Sequence, residues 1–259
     1  MIKRWIKSAL LHFGLELKYI RSTSIPFGVK WYQDIQYFPN GCNLDIIFDV
    51  GANIGQTAST AIKHFPNSRI YSFEPVPSTF QALLAKTKLF PQVIQINSAL
   101  GSQISRLPIT SKPLAQTNTL ISRSDDLKEN NCETVFVDVD TIDNFCKKNK
   151  IDKINLLKID TEGYEIEVLK GAKQCLYLNK IDYILAECEF FTRTDEIHGN
   201  FFEILNYLQP FQYNVVSFYT GGVDNLGWLW GDVLFRKTDN SPSNHPAYSP
   251  FCSYPSVDG

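Results

Sequence analysis

Short apolar runs and helical patterns alternate along the middle of the chain. Most of the apolar runs are followed by segments with apolar residues at helical spacing, such as PSTFQALLAKTKLF and EGYEIEVLKGAKQCL. Parallel strands need a crossover connection, usually a helix, so this alternation predicts an α/β fold with a doubly wound, mostly parallel sheet. The predicted strands are 45–50, 69–74, 93–97, 153–160 and 181–188.

Two further parts of the chain show strand patterns. The piece TVFVDVD alternates apolar and polar residues and indicates an additional strand or a substrate loop. The stretches YNVVSFY and GDVLFRK, joined by a glycine-rich loop at 220–231, predict an antiparallel hairpin on the sheet's edge. These patterns divide the chain into an N-terminal helix and approach loop (1–43), one α/β domain (44–237) and a loosely ordered tail (238–259).

The first residues, MIKRWIKSALLHFGLELKYI, are basic and then apolar. His12, Glu16 and Lys18 interrupt the apolar stretch, which argues against a signal peptide or a membrane span. The spacing instead predicts an amphipathic N-terminal helix. We expect this helix to pack on the domain or on a second subunit of a homo-oligomer, and peripheral contact with a membrane surface is the alternative.

Charge and cysteine content limit the classes of function. A formal net charge of -2 and a pI near 6.1 give no basic footprint, so we expect no nucleic-acid partner. The six cysteines show no C-x-x-C pair and no metal-ligand spacing. Unpaired cysteines of this kind are typical of reduced thiols, so we expect a cytoplasmic protein without a disulfide framework.

The first strand ends in an acid and a glycine turn, IIFDVGANIG. A turn of this kind opens a helix whose unpaired N–H groups bind ligands, and it is typical of adenosine-binding folds. Asn53 occupies the position where a dinucleotide site needs a bare glycine between Gly51 and Gly55, and Asp49 adds negative charge. Both features disfavour a pyrophosphate. They suit S-adenosylmethionine, which has an adenosine and a positive charge but no phosphate.

The second strand also ends in an acid. Glu74 lies 25 residues after Asp49, where an acid accepts hydrogen bonds from both ribose hydroxyls in adenosine-binding folds. Asn97 and Ser98 end the third strand, and we expect their side chains to reach the adenine edge. The alternative is that Asp49 and Glu74 only cap helices. Two acids in register with the turn favour the ligand site.

Several stretches together resemble the FkbM family of S-adenosylmethionine-dependent methyltransferases. The resemblance rests on DVGANIG, SFEPVPSTFQAL, SALG, LLKIDTEGYEIEVLKGA, ILAECE and GDVLFRK, in this order between about residues 45 and 237. It implies a class I, Rossmann-like domain with a seven-stranded sheet. It also implies O-methyl transfer to hydroxyl groups of polyketides, sugars, glycans or lipid-linked products. A catalytically idle binding or scaffold protein, or an N- or carboxyl-methyltransferase, is the alternative.

Acids at two strand ends are the candidates for activating an acceptor hydroxyl. Asp160 ends the fourth predicted strand and Glu187 the fifth, at the sheet edge where ligands bind. An alcohol needs a general base or a metal ion that lowers its pKa, and Asp160 suits either design. Together with Glu189, the two acids form a candidate site for magnesium or another hard divalent cation. Glu162 lies one step from the strand end and is either functional or a helix N-terminal acid, whereas Glu165 is expected on a solvated helix face.

Two further candidates follow from the same region. His198 lies in a polar stretch running into a helix and is a candidate base, a metal ligand or a helix cap. Trp228 and Trp230 flank the glycine-rich loop of the predicted hairpin. They stack on a sugar ring or belong to the core and edge of the sheet, and the sequence leaves both interpretations open.

Overall fold

The computed structural model describes residues 27–38, 40–111, 133–190, 199–224 and 227–238. The predicted N-terminal helix lies outside these residues, as does the predicted tail apart from Thr238. In chain order, the strands are β1 (Ile46–Val50), β2 (Arg69–Phe73), β3 (Val93–Ile96), β4 (Ala99–Leu100), β5 (Ser105–Ser111), β6 (Glu133–Asp140), β7 (Ile154–Ile159), β8 (Ile181–Glu189), β9 (Tyr213–Asp224) and β10 (Gly227–Lys237). The helices are α1 (Trp31–Tyr37), α2 (Gln56–His64), α3 (Pro77–Thr87), α4 (Ile142–Asn149), α5 (Glu165–Lys170), α6 (Lys173–Tyr177) and α7 (Phe201–Leu208), which a 3-10 turn at Gln209–Phe211 follows.

The main sheet has seven strands in the order β3-β2-β1-β7-β8-β10-β9. Strands β3, β2, β1, β7 and β8 run parallel, and β10 pairs antiparallel with β8 and β9. The predicted fold class, a mostly parallel seven-stranded sheet with a C-terminal antiparallel hairpin, is confirmed. The strand order reverses between β1 and β7. In such a sheet, the crevice outside the carboxyl ends of those two strands is the place where a ligand binds.

Apolar residues fill both faces of the sheet. Phe48 and Val50 of β1 belong to one buried cluster, together with residues of α4, α5, α6 and α7. Ile47 belongs to a second cluster with residues of α1 and α2. Because side chains alternate between the two faces of a strand, burial on both faces requires the continuous apolar run that the sequence shows.

A smaller sheet lies beside the main one. Its three strands are ordered β4-β6-β5, with β6 parallel to β4 and antiparallel to β5. The alternating piece TVFVDVD, for which a strand or a substrate loop was expected, forms most of β6. Val137 and Val139 of this strand pack with Ile109 in a third buried cluster.

No helix in the described part of the chain combines the length and the apolar character needed to cross a membrane. Among the cysteines described, Cys42 is exposed, whereas Cys146, Cys175 and Cys188 are buried, and all four are free thiols. The buried ones contribute to the core as small hydrophobic side chains.

Candidate active site

The glycine turn after β1 lies directly against the end of β7. Gly51 has a φ of 79°, and its N–H donates to the Phe73 carbonyl over 3.1 Å. A Cβ added at Gly51 would lie 1.8 Å from the backbone oxygen of Asp160. Both the positive φ and this close approach require glycine. The turn predicted to bind the cofactor and the acid predicted to act on the acceptor are therefore adjacent.

The rest of the turn leads into α2. Asn53 and Gly55 both have positive φ, at 48° and 89°, and Gly55 is the N-cap residue of the helix. A Cβ added at Gly55 would lie 3.0 Å from Leu83 Cδ1 and 3.1 Å from Thr87 Cγ2. The positive φ at three positions of DVGANIG makes the chain turn sharply between β1 and α2.

Glu74 joins the end of β2 to the turn. Its Oε2 accepts a hydrogen bond from the Asn53 N–H at 3.0 Å, and its Oε1 accepts from the Val76 N–H at 2.9 Å. Burial raises the pKa of Glu74 to about 7, although the two backbone hydrogen bonds oppose the shift. A carboxylate offers about four acceptor positions, so these two bonds leave capacity for the ribose hydroxyls that the sequence predicts.

Asp49 lies beneath the turn and is almost fully buried. Ser72 Oγ lies 3.4 Å from its Oδ2, and its Cα is paired with that of Lys158 in the neighbouring strand. Burial raises the pKa of Asp49 to about 7, while the Lys158 ammonium opposes the shift. Asp49 is therefore a buried carboxyl group at the end of β1, next to the turn predicted to bind the cofactor.

Asn97 and Ser98 hold the ends of strands together. Asn97 Nδ2 donates to the backbone oxygens of Glu74 at 2.8 Å and Pro75 at 3.0 Å. Ser98 Oγ donates to the Asp138 carbonyl at 2.9 Å. Both residues lie after the carboxyl end of β3, and their contact with adenine stays a prediction.

Three carboxylates meet where β7 ends beside β8. One oxygen each from Asp160, Glu162 and Glu187 lies within 4.8 Å of the others, and all three side chains are half-buried. Burial raises the pKa of Glu187, and the neighbouring Asp160 raises it further. Glu162 takes the third place in this group that the sequence assigned to Glu189. Glu189 pairs with Trp230 further along β8, and His198 lies outside the described residues.

Glu165 stabilises the loop that contains Glu162 by accepting hydrogen bonds from it. Oε1 of Glu165 accepts hydrogen bonds from Thr161 N at 2.9 Å, Thr161 Oγ1 at 2.9 Å and Gly163 N at 3.2 Å. The expectation that Glu165 lies on a solvated helix face was wrong, because the residue is only 1% exposed. The loop folds back over α5 with positive φ at Glu162 and Gly163, so Glu165 supplies the acceptor that its N–H groups need.

Lys158 is the buried cation of the site. Its Nζ lies 2.7 Å from Asp232 Oδ1 and 3.4 Å from Asp160 Oδ2, and its side chain is 5% exposed. Burial alone would lower the pKa of Lys158, but Asp160, Asp232 and Glu187 together raise it above its ordinary value. Lys158 therefore stays charged and compensates part of the negative charge at the strand ends.

Sequence reasoning missed both Lys158 and Asp232. The signal was a charged residue between apolar neighbours in each strand, since a charge buried in a sheet needs a partner. The partner itself could not be read from the sequence, because the two residues lie 74 positions apart. Their contact depends on the placement of β10 beside β8.

The stretch from residue 49 to residue 215 matches the model of the methyltransferase FkbM domain. The chain belongs to this family. The matched stretch contains the glycine turn, Glu74 and the three clustered carboxylates, whereas Trp230 and Asp232 lie beyond it.

Curated relatives of this FkbM-family chain are methyltransferases by name. The hexuronic acid methyltransferase AglP of Haloferax volcanii is 27% identical over 144 residues, covering 55% of this chain and 55% of that protein. The methyltransferase sdnD of Sordaria araneosa is 30% identical over 156 residues, covering 49% of this chain and 60% of that protein. The chain thus spans little more than half the length of these two relatives.

Among solved structures, the FkbM-family chain is similar to M. capricolum TrmK in complex with S-adenosyl-homocysteine. The identity is 11%, the match covers 83% of this chain and 73% of that chain, and the TM-score is 0.45. A likeness of this level has no bearing on cofactor or substrate.

Proposed function

We propose that the protein is an S-adenosylmethionine-dependent O-methyltransferase that acts on a hydroxyl group of a sugar, glycan or natural product. The contact between Gly51 and the Asp160 carbonyl is the observation that carries the proposal. It brings the turn suited to the methyl donor next to carboxylates suited to the acceptor. Membership of the FkbM methyltransferase family supports the same reaction class.

The residues around the turn fit S-adenosylmethionine. Gly51 and Gly55 leave room at the helix start, and Glu74 is held where it can accept hydrogen bonds from a ribose. The buried carboxyl of Asp49 adds negative charge near a cationic ligand. When bound, S-adenosylmethionine would supply an electrophilic methyl group: transfer of that methyl to the acceptor oxygen would break its bond to sulfur and release S-adenosyl-homocysteine and the hydroxyl proton.

The carboxylates activate the acceptor hydroxyl. Asp160, at the end of β7, accepts the hydroxyl proton if it acts as a general base. Asp160, Glu162 and Glu187 would also hold magnesium or a similar cation, because hard divalent cations prefer carboxylate oxygens. We favour the metal, since three clustered acids repel one another unless a cation or protons compensate their charge. Lys158 pairs with Asp232 as well as Asp160, so it offsets only part of the negative charge of the three clustered acids.

The relatives support a sugar or natural-product acceptor. One curated relative is named a hexuronic acid methyltransferase, and the resemblance to the FkbM family implies transfer of the methyl group to a hydroxyl group. The acidic strand ends and the absence of net positive charge disfavour a nucleic-acid substrate. Methylation of an amine or a carboxylate, or an idle binding domain, are the competing interpretations, and product analysis separates them.

Calorimetry and radiolabelled methyl transfer test the proposal. We expect S-adenosylmethionine and its demethylated product to bind the purified protein, and label to appear as a methyl ether in a hydroxylated acceptor. If neither S-adenosylmethionine nor its demethylated product binds, the proposed methyltransferase activity is excluded. Label recovered only as a methyl ester or methylamine would exclude O-methyl transfer.

A chelator separates the two versions of acceptor activation. If a metal is used, chelation abolishes turnover, magnesium or manganese restores it, and Glu187→Gln raises the metal concentration needed. If Asp160 acts as a base alone, activity survives the chelator, and Asp160→Asn lowers kcat by about 10² to 10⁴-fold at unchanged cofactor affinity. Full activity of Asp160→Asn under both conditions would contradict both versions.

A further inference from the structure

Trp230 lies on the same face of the sheet as the clustered acids. Its Cα is paired with that of Glu189, and the Cα of Asp232 is paired with that of Glu187, without a register shift between β10 and β8. Paired residues point to the same face, and so do residues two apart on one strand. Trp230 therefore lies about 7 Å beyond Asp232 in the direction away from Lys158, given the rise of a strand.

The indole of Trp230 packs flat on two glycines of β9. A Cβ added at Gly221 would lie 2.1 Å from Cε3 and Cζ3 of the six-membered ring. A Cβ added at Gly222 would lie 2.4 Å from Nε1 of the five-membered ring. The two glycine backbones thus underlie both halves of one indole face, and any other residue there would displace the ring.

The strand pairing around Trp230 is adapted to this arrangement. The register between β9 and β10 shifts on both sides of Trp230, between Trp228 and Trp230 and again between Trp230 and Gly231. Such bulges occur next to active sites, where they redirect a side chain. Trp230 remains 45% exposed although its one face is covered by backbone. Part of the indole away from these glycines is therefore open to solvent.

We propose that the indole of Trp230 is the acceptor subsite and binds the face of a neutral sugar ring, which rests on the proposed methyl transfer for its purpose. The C–H face of a pyranose is flat and apolar and packs on an aromatic ring, whereas its hydroxyl groups lie around the rim. Carboxylates accept strong hydrogen bonds from hydroxyl groups. Glu187, Glu189 and Asp232 present such carboxylates along the same face of the two strands.

The charge around the subsite selects a neutral ring over an acidic one. Lys158 is buried between Asp160 and Asp232, and Glu162 and Glu187 lie beside Asp160. Even with a divalent cation bound, acids outnumber cations in this set. A uronic acid or phosphorylated sugar would bring another negative charge into it. The acceptor class therefore differs in charge from the substrate after which the AglP relative is named.

Saturation-transfer NMR with simple glycosides tests this subsite directly. The probes are the methyl glycosides of glucose, mannose and galactose and those of glucuronic and galacturonic acid, each with and without S-adenosyl-homocysteine. We expect ring C–H signals from at least one neutral glycoside and none from the uronic acids. Trp230→Ala should weaken binding by about tenfold or more, and Trp230→Tyr should retain part of it.

Tyr177→Ala is the matched control, because Tyr177 is a 77% exposed aromatic residue that ends α6, just before the amino end of β8. This variant should bind like the wild type. The subsite is contradicted if no neutral glycoside binds, if the uronic acids bind better, or if Trp230→Ala binds unchanged. Because the probes are also measured without cofactor product, failure of S-adenosylmethionine binding would overturn the proposed function while leaving this measurement interpretable.

Discussion

Glu74 is the residue on which the cofactor side of the site depends most directly. We predict that Glu74→Ala lowers the affinity for S-adenosylmethionine at least tenfold. The change removes the acceptor of the two proposed hydrogen bonds from the ribose hydroxyls, and each such charge-assisted bond contributes about 1.5 to 3 kcal/mol. It also removes the acceptor for the Asn53 N–H, so the turn loses a support. Calorimetry on the folded variant measures the loss.

The control for this prediction is Glu203→Ala, which removes an exposed acid from α7. Its cofactor affinity should match that of the wild type. An unchanged affinity in Glu74→Ala would place the ribose elsewhere in the crevice.

Lys158 gives a second prediction at the residue scale. Lys158→Met leaves Asp160 and Asp232 without their cation, and breaking a buried ion pair costs about 3 to 5 kcal/mol. We expect the lower end of this range, because the side chains of these acids are 38% and 33% exposed. Urea denaturation measures the free energy of unfolding.

A double variant distinguishes ion pairing from simple loss of packing. Lys158→Met combined with Asp232→Asn should recover part of the lost stability, since one of the unpaired charges is gone. If the double variant is as unstable as the sum of both single changes, the ion pair is not the source of the effect.

The glycine turn provides the prediction at the scale of elements. Gly51→Ala places a Cβ 1.8 Å from the Asp160 carbonyl and forces alanine into a φ of 79°. The left-handed backbone conformation alone lowers the stability of the alanine variant by about 1 to 2 kcal/mol. The clash is relieved only if the end of β7 moves. We expect loss of both cofactor binding and turnover, measured by calorimetry and by methyl transfer.

Gly55→Ala is the graded comparison for this prediction. It has a similar φ of 89°, but its Cβ would meet only side-chain ends, of Leu83 and Thr87. Those atoms shift more easily than backbone, so Gly55→Ala should retain more activity than Gly51→Ala. Equal losses of activity in the two variants would mean that the close approach of Gly51 to the Asp160 carbonyl matters no more than the side-chain contacts of Gly55.

The main elements could be predicted because their signals are local. Each of the five predicted parallel strands agrees with the structure to within one residue at either end. The glycine turn and Glu74 follow from short motifs at strand ends. Glu162 could be named as a candidate beside the strand end, but its place in the cluster could not be predicted, because it depends on a loop with two successive positive φ values at Glu162 and Gly163.

Long-range placement explains the remaining differences. The burial of Glu165 depends on the loop that folds over it, and the orientation of Trp230 depends on register shifts against β9. Both are properties of contacts between segments. The sequence pattern alone therefore could not decide whether Trp230 stacks on a sugar ring or belongs to the core and edge of the sheet.

For the molecule as a whole, two buried carboxyl groups predict how stability depends on pH. In the folded protein, the pKa is about 7 for both Asp49 and Glu74, against ordinary values of 3.8 and 4.5. Between pH 4 and pH 7 the unfolded chain has therefore lost protons that the folded protein keeps. Their contribution to stability is fully present at low pH and is lost as the pH rises to about 7.

Other acids titrate as well, so the comparison is with an Asp49→Asn, Glu74→Gln variant. The unfolding free energy of the ligand-free wild type, relative to this variant, should fall from pH 4 to pH 7 and then level off. Denaturant titrations at several pH values measure this difference. A difference that stays constant across the range would show that these carboxyl groups ionise normally in the folded protein.

The position of β10 has a consequence for how such proteins diversify. Asp232 anchors the strand to Lys158 in the centre of the sheet, while Trp230 and the two glycines packed against it, Gly221 and Gly222, lie just before it on the hairpin. Grafting that segment of the hairpin from another family member, with Asp232 left in place, should exchange acceptor preference without disturbing the methyl donor. If this hairpin segment can be exchanged while the rest of the sheet stays unchanged, one fold can acquire new acceptors through the replacement of a few residues.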